Sequence, residues 1–135
     1  MTTFPERLKP LHSRTSDRVA LTLQFSTADD LSLTVDQLLC GASSYARALT
    51  LAKIQPGEVV VLILQHGEDL VYAFWGTILH GAIPSIMPFL TEKLSPERYR
   101  ADLSALISVT QPAAIVTCRS EEHTSEFQSL RHLVC

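Results

Sequence analysis

The segment Gln65-His66-Gly67-Glu68-Asp69 sets an imidazole and two carboxylates directly behind the apolar run at 59–64. A strand ending at Leu64 and a helix starting near Gly67 make a crevice at the carboxyl end of a sheet, a place where α/β proteins bind ligands. Phosphate binding is the first chemistry to weigh there. The segment has neither the G-x-G-x-x-G nor the P-loop pattern, and Glu68 and Asp69 would repel an anion at the helix start. Their simpler role is to complement the positive end of the helix dipole.

Other reactive side chains form no constellation. His12, His66 and His80 show no H-E-x-x-H spacing and no facing-carboxylate pattern, which leaves them surface or packing roles. Ser43 and Ser44 fall inside a helical pattern rather than a G-x-S-x-G elbow, and Cys40 in the same pattern has no base beside it in sequence. Cys40, Cys118 and Cys135 are odd in number, far apart and without a C-x-x-C pair, so neither a zinc site nor a disulfide is expected. Phe74 and Trp75 sit on a helical stripe that reads as core rather than as a ligand platform. On the residues alone, no catalytic, cofactor-binding or metal-binding position is assigned.

The chain has 135 residues, 46% of them apolar, which suits one domain or part of a larger one with a proper core. Its net charge of -3 is spread over interspersed acids and bases, so no block of one sign argues for nucleic acid or an anionic membrane surface. The N-terminus, MTTFPERLKPLHSRTSDR, carries charges and two prolines where a secretory signal needs an apolar core, and a cytoplasmic protein is expected. Residues 70–90 contain no Asp, Glu, Lys or Arg and approach bilayer-spanning length. Gly81, Pro84 and Pro88 interrupt them, so buried α/β elements are expected in place of a membrane span.

The elements that would position the crevice can be read in order. Residues 18–25 alternate, with Val19, Leu21, Leu23 and Phe25 on one face, and with LSLTV after the turn-like STADD they predict a β-hairpin. Thr34 and Gln37 form a capping-box pattern that starts a helix at Val35. Val35, Leu38, Leu39, Ala42, Tyr45, Ala46 and Leu49 follow helical periodicity, and Gly41 within them is costly unless another element packs close to it. After the turn KIQPGE, the run VVVLIL is apolar at every position, as a central parallel strand must be.

A second helix follows QHGED with Leu70, Val71, Phe74, Trp75 and Ile78 on one stripe and stops at Gly81. AIPSIM predicts a short strand distorted by Pro84. Ser95 as cap and Pro96 at the first position open a helix whose buried face is Tyr99, Leu103, Leu106 and Ile107, and QPAAIVT returns to a strand. A β-hairpin followed by αβαβαβ is the order of an α/β domain with helices flanking a mostly parallel sheet.

These quoted segments, in series, carry a family likeness. The cap and helix LTVDQLL, the turn and strand IQPGEVVVLIL, AFWGTILHGAIPSIMP and LSPERYRADLSALISVTQPAAIVT together resemble the N-terminal part of the AMP-forming, adenylate-forming enzymes, over residues 18–117. That superfamily includes acyl-CoA synthetases and fatty acyl-AMP ligases. The resemblance implies an incomplete part of a large N-terminal domain, preceded by an extension at 1–17. It also implies a parent ligase that uses ATP and Mg2+ to turn a carboxylic acid, fatty or aryl, into an acyl-adenylate. The acyl group then passes to coenzyme A or a carrier-protein thiol. The family's phosphate loop, adenine and ribose motifs and catalytic lysine lie beyond the likeness, so no catalytic residue carries over and this chain alone is expected to be inactive. No ATP or Mg2+ is expected to bind these residues.

Residues 119–129, RSEEHTSEFQS, continue neither the strand nor the helix pattern. They resemble the translation of a common sequencing adapter, Arg-Ser-Glu-Glu-His-Thr-Ser-Glu-Leu-Gln-Ser, in ten of eleven positions, with Phe127 as the difference. After a gap that suits a variable index, His132 to Cys135 match the adapter again. The likeness implies that 119–135 is not biological sequence and that the frame is cut near Cys118. An amphipathic helix using Phe127, Leu130 and Val134 is the structural alternative. For the chain as a whole, the alternative to a ligase fragment is a self-contained α/β binding or interaction module without catalysis.

Overall fold

A computed structural model describes residues 2–117, together with the backbone of 131–134. The chain opens with a helix, α1 (Phe4–Thr15), inside the segment expected as an extension at 1–17, for which the sequence assigns no element. Thr3 N–H donates to Glu6 Oε at 2.7 Å, and Pro5 sits in the first turn where its missing N–H costs nothing. No residue of α1 is buried, so the helix is held by surface contacts rather than by a core stripe.

Strands β1 (Val19–Leu23) and β2 (Leu31–Thr34) form the expected antiparallel hairpin as a separate two-stranded sheet. The expected single apolar face of β1 holds only in part. The register shifts between Val19 and Leu21, which leaves Val19 exposed while Leu23 and Leu33 are buried. Helix α2 (Val35–Leu51) begins where its capping box predicts: Gln37 N donates to Thr34 Oγ1 at 3.2 Å and Thr34 N to Gln37 Oε1 at 3.0 Å.

Strand β3 (Val59–Ile63) lies inside an all-parallel sheet, flanked by β4 (Ile83–Ile86) and β5 (Ala114–Thr117). Backbone 131–134 adds a further parallel strand, β6 (Arg131–Val134), beside β5. The helix alternative for the terminal segment therefore fails at 131–134, and the rest of that segment lies outside the described residues. One face of the sheet packs Val60, Leu62, Leu64, Ala114 and Val116 against Leu49 of α2 and Ala73 of α3 (Glu68–His80). The other packs Val61, Ile63 and Ile115 against Tyr99 and Leu103 of α4 (Pro96–Thr110), with Leu106 and Ile107 partly buried as expected. Two-sided cover explains why the central strand is apolar throughout.

Helix α3 differs from its expected stripe. Its buried residues are the small ones, Ala73, Gly76 and Thr77, while Leu70 and Phe74 are only partly buried against the core. The reason is a close α2–α3 contact. A Cβ on Gly76 would lie 2.5 Å from the Ala42 carbonyl oxygen, and one on Gly41 would run into the Tyr72 ring. Both glycines give up helix propensity to let the helices approach. The αL residue Gly81, at φ 90°, ends α3 as predicted.

Pro84 does not distort β4; it pairs in register with Val60. Ile83 N donates to Glu58 O at 2.8 Å and Met87 N to Leu62 O at 2.9 Å, so residues 84 and 86 turn their backbone to the open edge. The ring thus removes an N–H from the outer side only. Among the described residues, no helix is long and apolar enough to cross a membrane.

Candidate functional site

The crevice expected behind β3 exists. Leu64, Gln65, His66, Gly67, Glu68 and Asp69 line an open cavity of about 300 Å³ together with Phe25 and Leu31 of the hairpin. The apolar strand ends in the sheet interior, and the polar turn after it must emerge at the sheet's carboxyl edge. His66 Nε2 lies 3.2 Å from the Gln24 carbonyl; a carbonyl only accepts, so Nε2 carries the proton. Its ring also lies 5.3 Å from the Phe25 ring. These two contacts fasten the hairpin to the β3–α3 turn.

Glu68 and Asp69 occupy the first turn of α3, next to its free N–H groups. Tyr45 of α2 donates its hydroxyl to Asp69 Oδ1 at 3.2 Å, a tie between the two helices. Tyr72, one turn along α3, has its phenol pushed above the ordinary range, first by burial and then by the charge of Glu68 beside it. Sequence spacing offers no hint of this pairing of Tyr45 with Asp69, because the two residues come from different helices.

The crevice therefore presents an imidazole and two carboxylates rather than an anion cradle. The start of α4, which follows β4, likewise carries Glu97, whose carboxyl is held below its usual range by hydrogen bonds at the helix start and from Ser95. Among the described residues, no group of three His, Cys, Asp or Glu side chains can hold a metal ion. The two carboxylates at the start of α3 would repel the phosphates of ATP, and no nucleotide step is assigned to these residues.

The remaining candidates scatter. His80 closes α3 by donating Nε2–H to the Ile54 carbonyl at 2.6 Å, with Thr50 Oγ1 3.3 Å from Nδ1. Ser44 Oγ donates to the Cys40 carbonyl at 3.2 Å within α2. His12 reaches Asp36 Oδ1 at 2.7 Å and, with Cys40, Ser43, Leu39 and Leu79, lines a second cavity of about 730 Å³ between α1 and the α2–α3 pair. Cys40 is exposed, and Cys118 and Cys135 lie outside the described residues. Trp75 is half-buried between two rings, Phe4 of α1 at 5.0 Å and Phe74 at 5.5 Å. That placement is packing, as expected, though against α1 as well as its own helix.

No family's sequence model matches the chain, and no curated protein does. Solved structures do. The chain is similar to the fatty acyl-adenylate ligase from L. pneumophila in complex with acyl adenylate and pyrophosphate, with a TM-score of 0.72 and 22% identity over 95% of this chain and 22% of that one. The O-succinylbenzoate coenzyme A synthetase from Bacillus subtilis, in complex with ATP and magnesium ion, gives 0.73 and 20% identity over 94% of this chain and 32% of that one. The N-terminal subdomain of Klebsiella oxytoca NpsA gives 0.68 and 19% identity over 98% of this chain and 29% of that one. The chain thus has the fold of the N-terminal part of adenylate-forming ligases and spans between about a fifth and a third of the length of these three.

Proposed function

We propose that this chain is the N-terminal part of an ATP-dependent carboxylic acid:thiol ligase that forms an acyl-adenylate, of acyl-CoA synthetase or fatty acyl-AMP ligase type. One observation carries the reading: nearly the whole described chain superposes on a minor share of enzymes that activate acids as adenylates. In the parent, ATP and Mg2+ drive adenylation of a fatty or aryl acid, and coenzyme A or a carrier-protein thiol takes the acyl group. The residues described here supply scaffold: a sheet covered on both faces and a carboxyl edge on which the reacting groups of the parent are built. An exposed free thiol at Cys40 agrees with a cytoplasmic setting.

On this reading, residues 119–135 are adapter-derived and the chain alone is inactive. Resequencing the source DNA outward from the codons of VVVLIL past codon 118 tests it. The expected result is a frame that runs on into a Ser/Thr/Gly-rich phosphate loop with a lysine. A confirmed 119–135 followed by a stop would overturn the fragment reading. The purified 135-residue chain is expected to show no carboxylate-dependent ATP–pyrophosphate exchange, and measurable exchange would refute its inactivity.

The second reading, a self-contained binding module, draws on the two-sided cover of the sheet and the capped helices. It requires a monomeric, cooperatively melting chain after deletion of 119–135.

A further inference from the structure

Helix α1 turns Pro5, Leu8 and His12 towards the body of the fold, where they line the cavity against α2. Beside that face, Phe4, Arg7, Leu11 and Arg14 recur at spacings of three and four, which sets them in one row along the helix. All four are exposed, Phe4 at 45% and Leu11 at 46%. Neither arginine forms an ion pair with a described residue. The fold makes little use of this row beyond the stacking of Phe4 on Trp75.

No long block of one sign exists, but the balance of charge shifts along the chain. Residues 1–18 hold four basic side chains, Arg7, Lys9, Arg14 and Arg18, against two acidic ones, Glu6 and Asp17. The remainder carries more acid than base. An anionic surface would therefore attract α1 and repel the rest, which fixes an orientation as well as a contact.

We propose that the row Phe4-Arg7-Leu11-Arg14 is a docking surface for an anionic lipid surface, with the guanidinium groups among the headgroups and the two apolar side chains at the acyl boundary. Alternation of cation and apolar group along one helical row is what an interface of charged headgroups over hydrocarbon complements. An acidic protein surface would engage the same charges, and flotation separates the two. A neutral bilayer would leave the charges unmatched. The contact is peripheral and reversible, because the row is short.

Flotation of the full 135-residue chain with vesicles of equal parts phosphatidylglycerol and phosphatidylcholine tests the proposal. The chain is expected to float with these vesicles, to stay behind with pure phosphatidylcholine, and to be released by high salt. The double change Arg7→Gln/Arg14→Gln is expected to lower the partition coefficient roughly thirty-fold with an unchanged far-UV spectrum. Leu11→Ser is expected to weaken it several-fold. Trp75, the single tryptophan, stacks on Phe4 and provides a fluorescence readout of the same event. No flotation, equal flotation with pure phosphatidylcholine, or binding undiminished in the double variant would overturn the proposal. Retention on an acidic protein resin without flotation would assign the row to a protein partner and overturn it as well.

Discussion

Gly76→Ala tests the close approach of α2 and α3. In isolation the change favours the helix by about 1 kcal/mol, since alanine is the better helix former. In the fold, the new methyl would lie 2.5 Å from the Ala42 carbonyl oxygen and 2.6 Å from Tyr45 Cβ. A carbon–oxygen contact settles at about 3.3 Å or more, so α3 must retreat by roughly 0.8 Å. The obstacle is backbone on α2, which cannot rotate aside, and α2 is itself packed on the sheet through Leu49. Overpacking of this kind costs about 1–3 kcal/mol, and after the gain in helix propensity the net expectation is a loss of roughly 1 kcal/mol, at most about 2 kcal/mol. Urea unfolding followed by far-UV circular dichroism should show a lower midpoint at an unchanged slope, with a thermal midpoint lower by about 4–8 °C. Gly41→Ala should destabilise as well, because there the methyl meets the Tyr72 ring at its root, Cγ, which moves only with the whole side chain. A Gly76→Ala chain as stable as the original would refute the steric argument.

Thr34→Ala removes the acceptor for Gln37 N at the start of α2 and should lower stability by about 1 kcal/mol in the same denaturation assay. Pro84→Ala restores an outward N–H on the open edge of β4, where Ile83 and Ile86 are 52% and 54% exposed, and should increase self-association in light scattering. Because the Tyr72 phenol is raised in the fold by burial and by Glu68, its stabilising effect is complete below the unfolded value of about 10. Above that pH the unfolded chain ionises first and stability falls until the folded phenol titrates too. Tyr72→Phe should flatten that alkaline loss, as followed by denaturation midpoints across pH.

The elements that local rules govern are those the sequence shows most clearly. Thr34 with Gln37 and Ser95 with Pro96 mark the starts of α2 and α4, because a cap acts within three residues of itself. The all-apolar β3 was legible for the same kind of reason: burial on both faces leaves no polar position. Helix α3 was legible in extent but not in orientation. A stripe drawn from large apolar residues overlooks an interface whose driving contact is the absence of a side chain at Gly76. Helix α1 escaped notice because Pro5 and Pro10 interrupt its pattern, and because its attachments, Phe4 to Trp75 and His12 to Asp36, span long stretches of chain. At the crevice, the strand-to-helix junction and the acidic helix start could be read directly. The bond from the Tyr45 phenol to Asp69 could not, since only the packing of α2 on α3 brings the two together.

Pro84 gives the parallel sheet a direction of growth. A strand arriving at the β4 flank finds a missing donor and protruding isoleucines, whereas β5 offers an uninterrupted ladder, the one that the 131–134 backbone occupies. The sheet thus behaves like a crystal with one poisoned face: addition is hindered at β4 and open at β5. Any longer polypeptide built on this scaffold inherits that polarity, and the sequence in which its later strands are laid down is constrained by a single ring placed early in the chain.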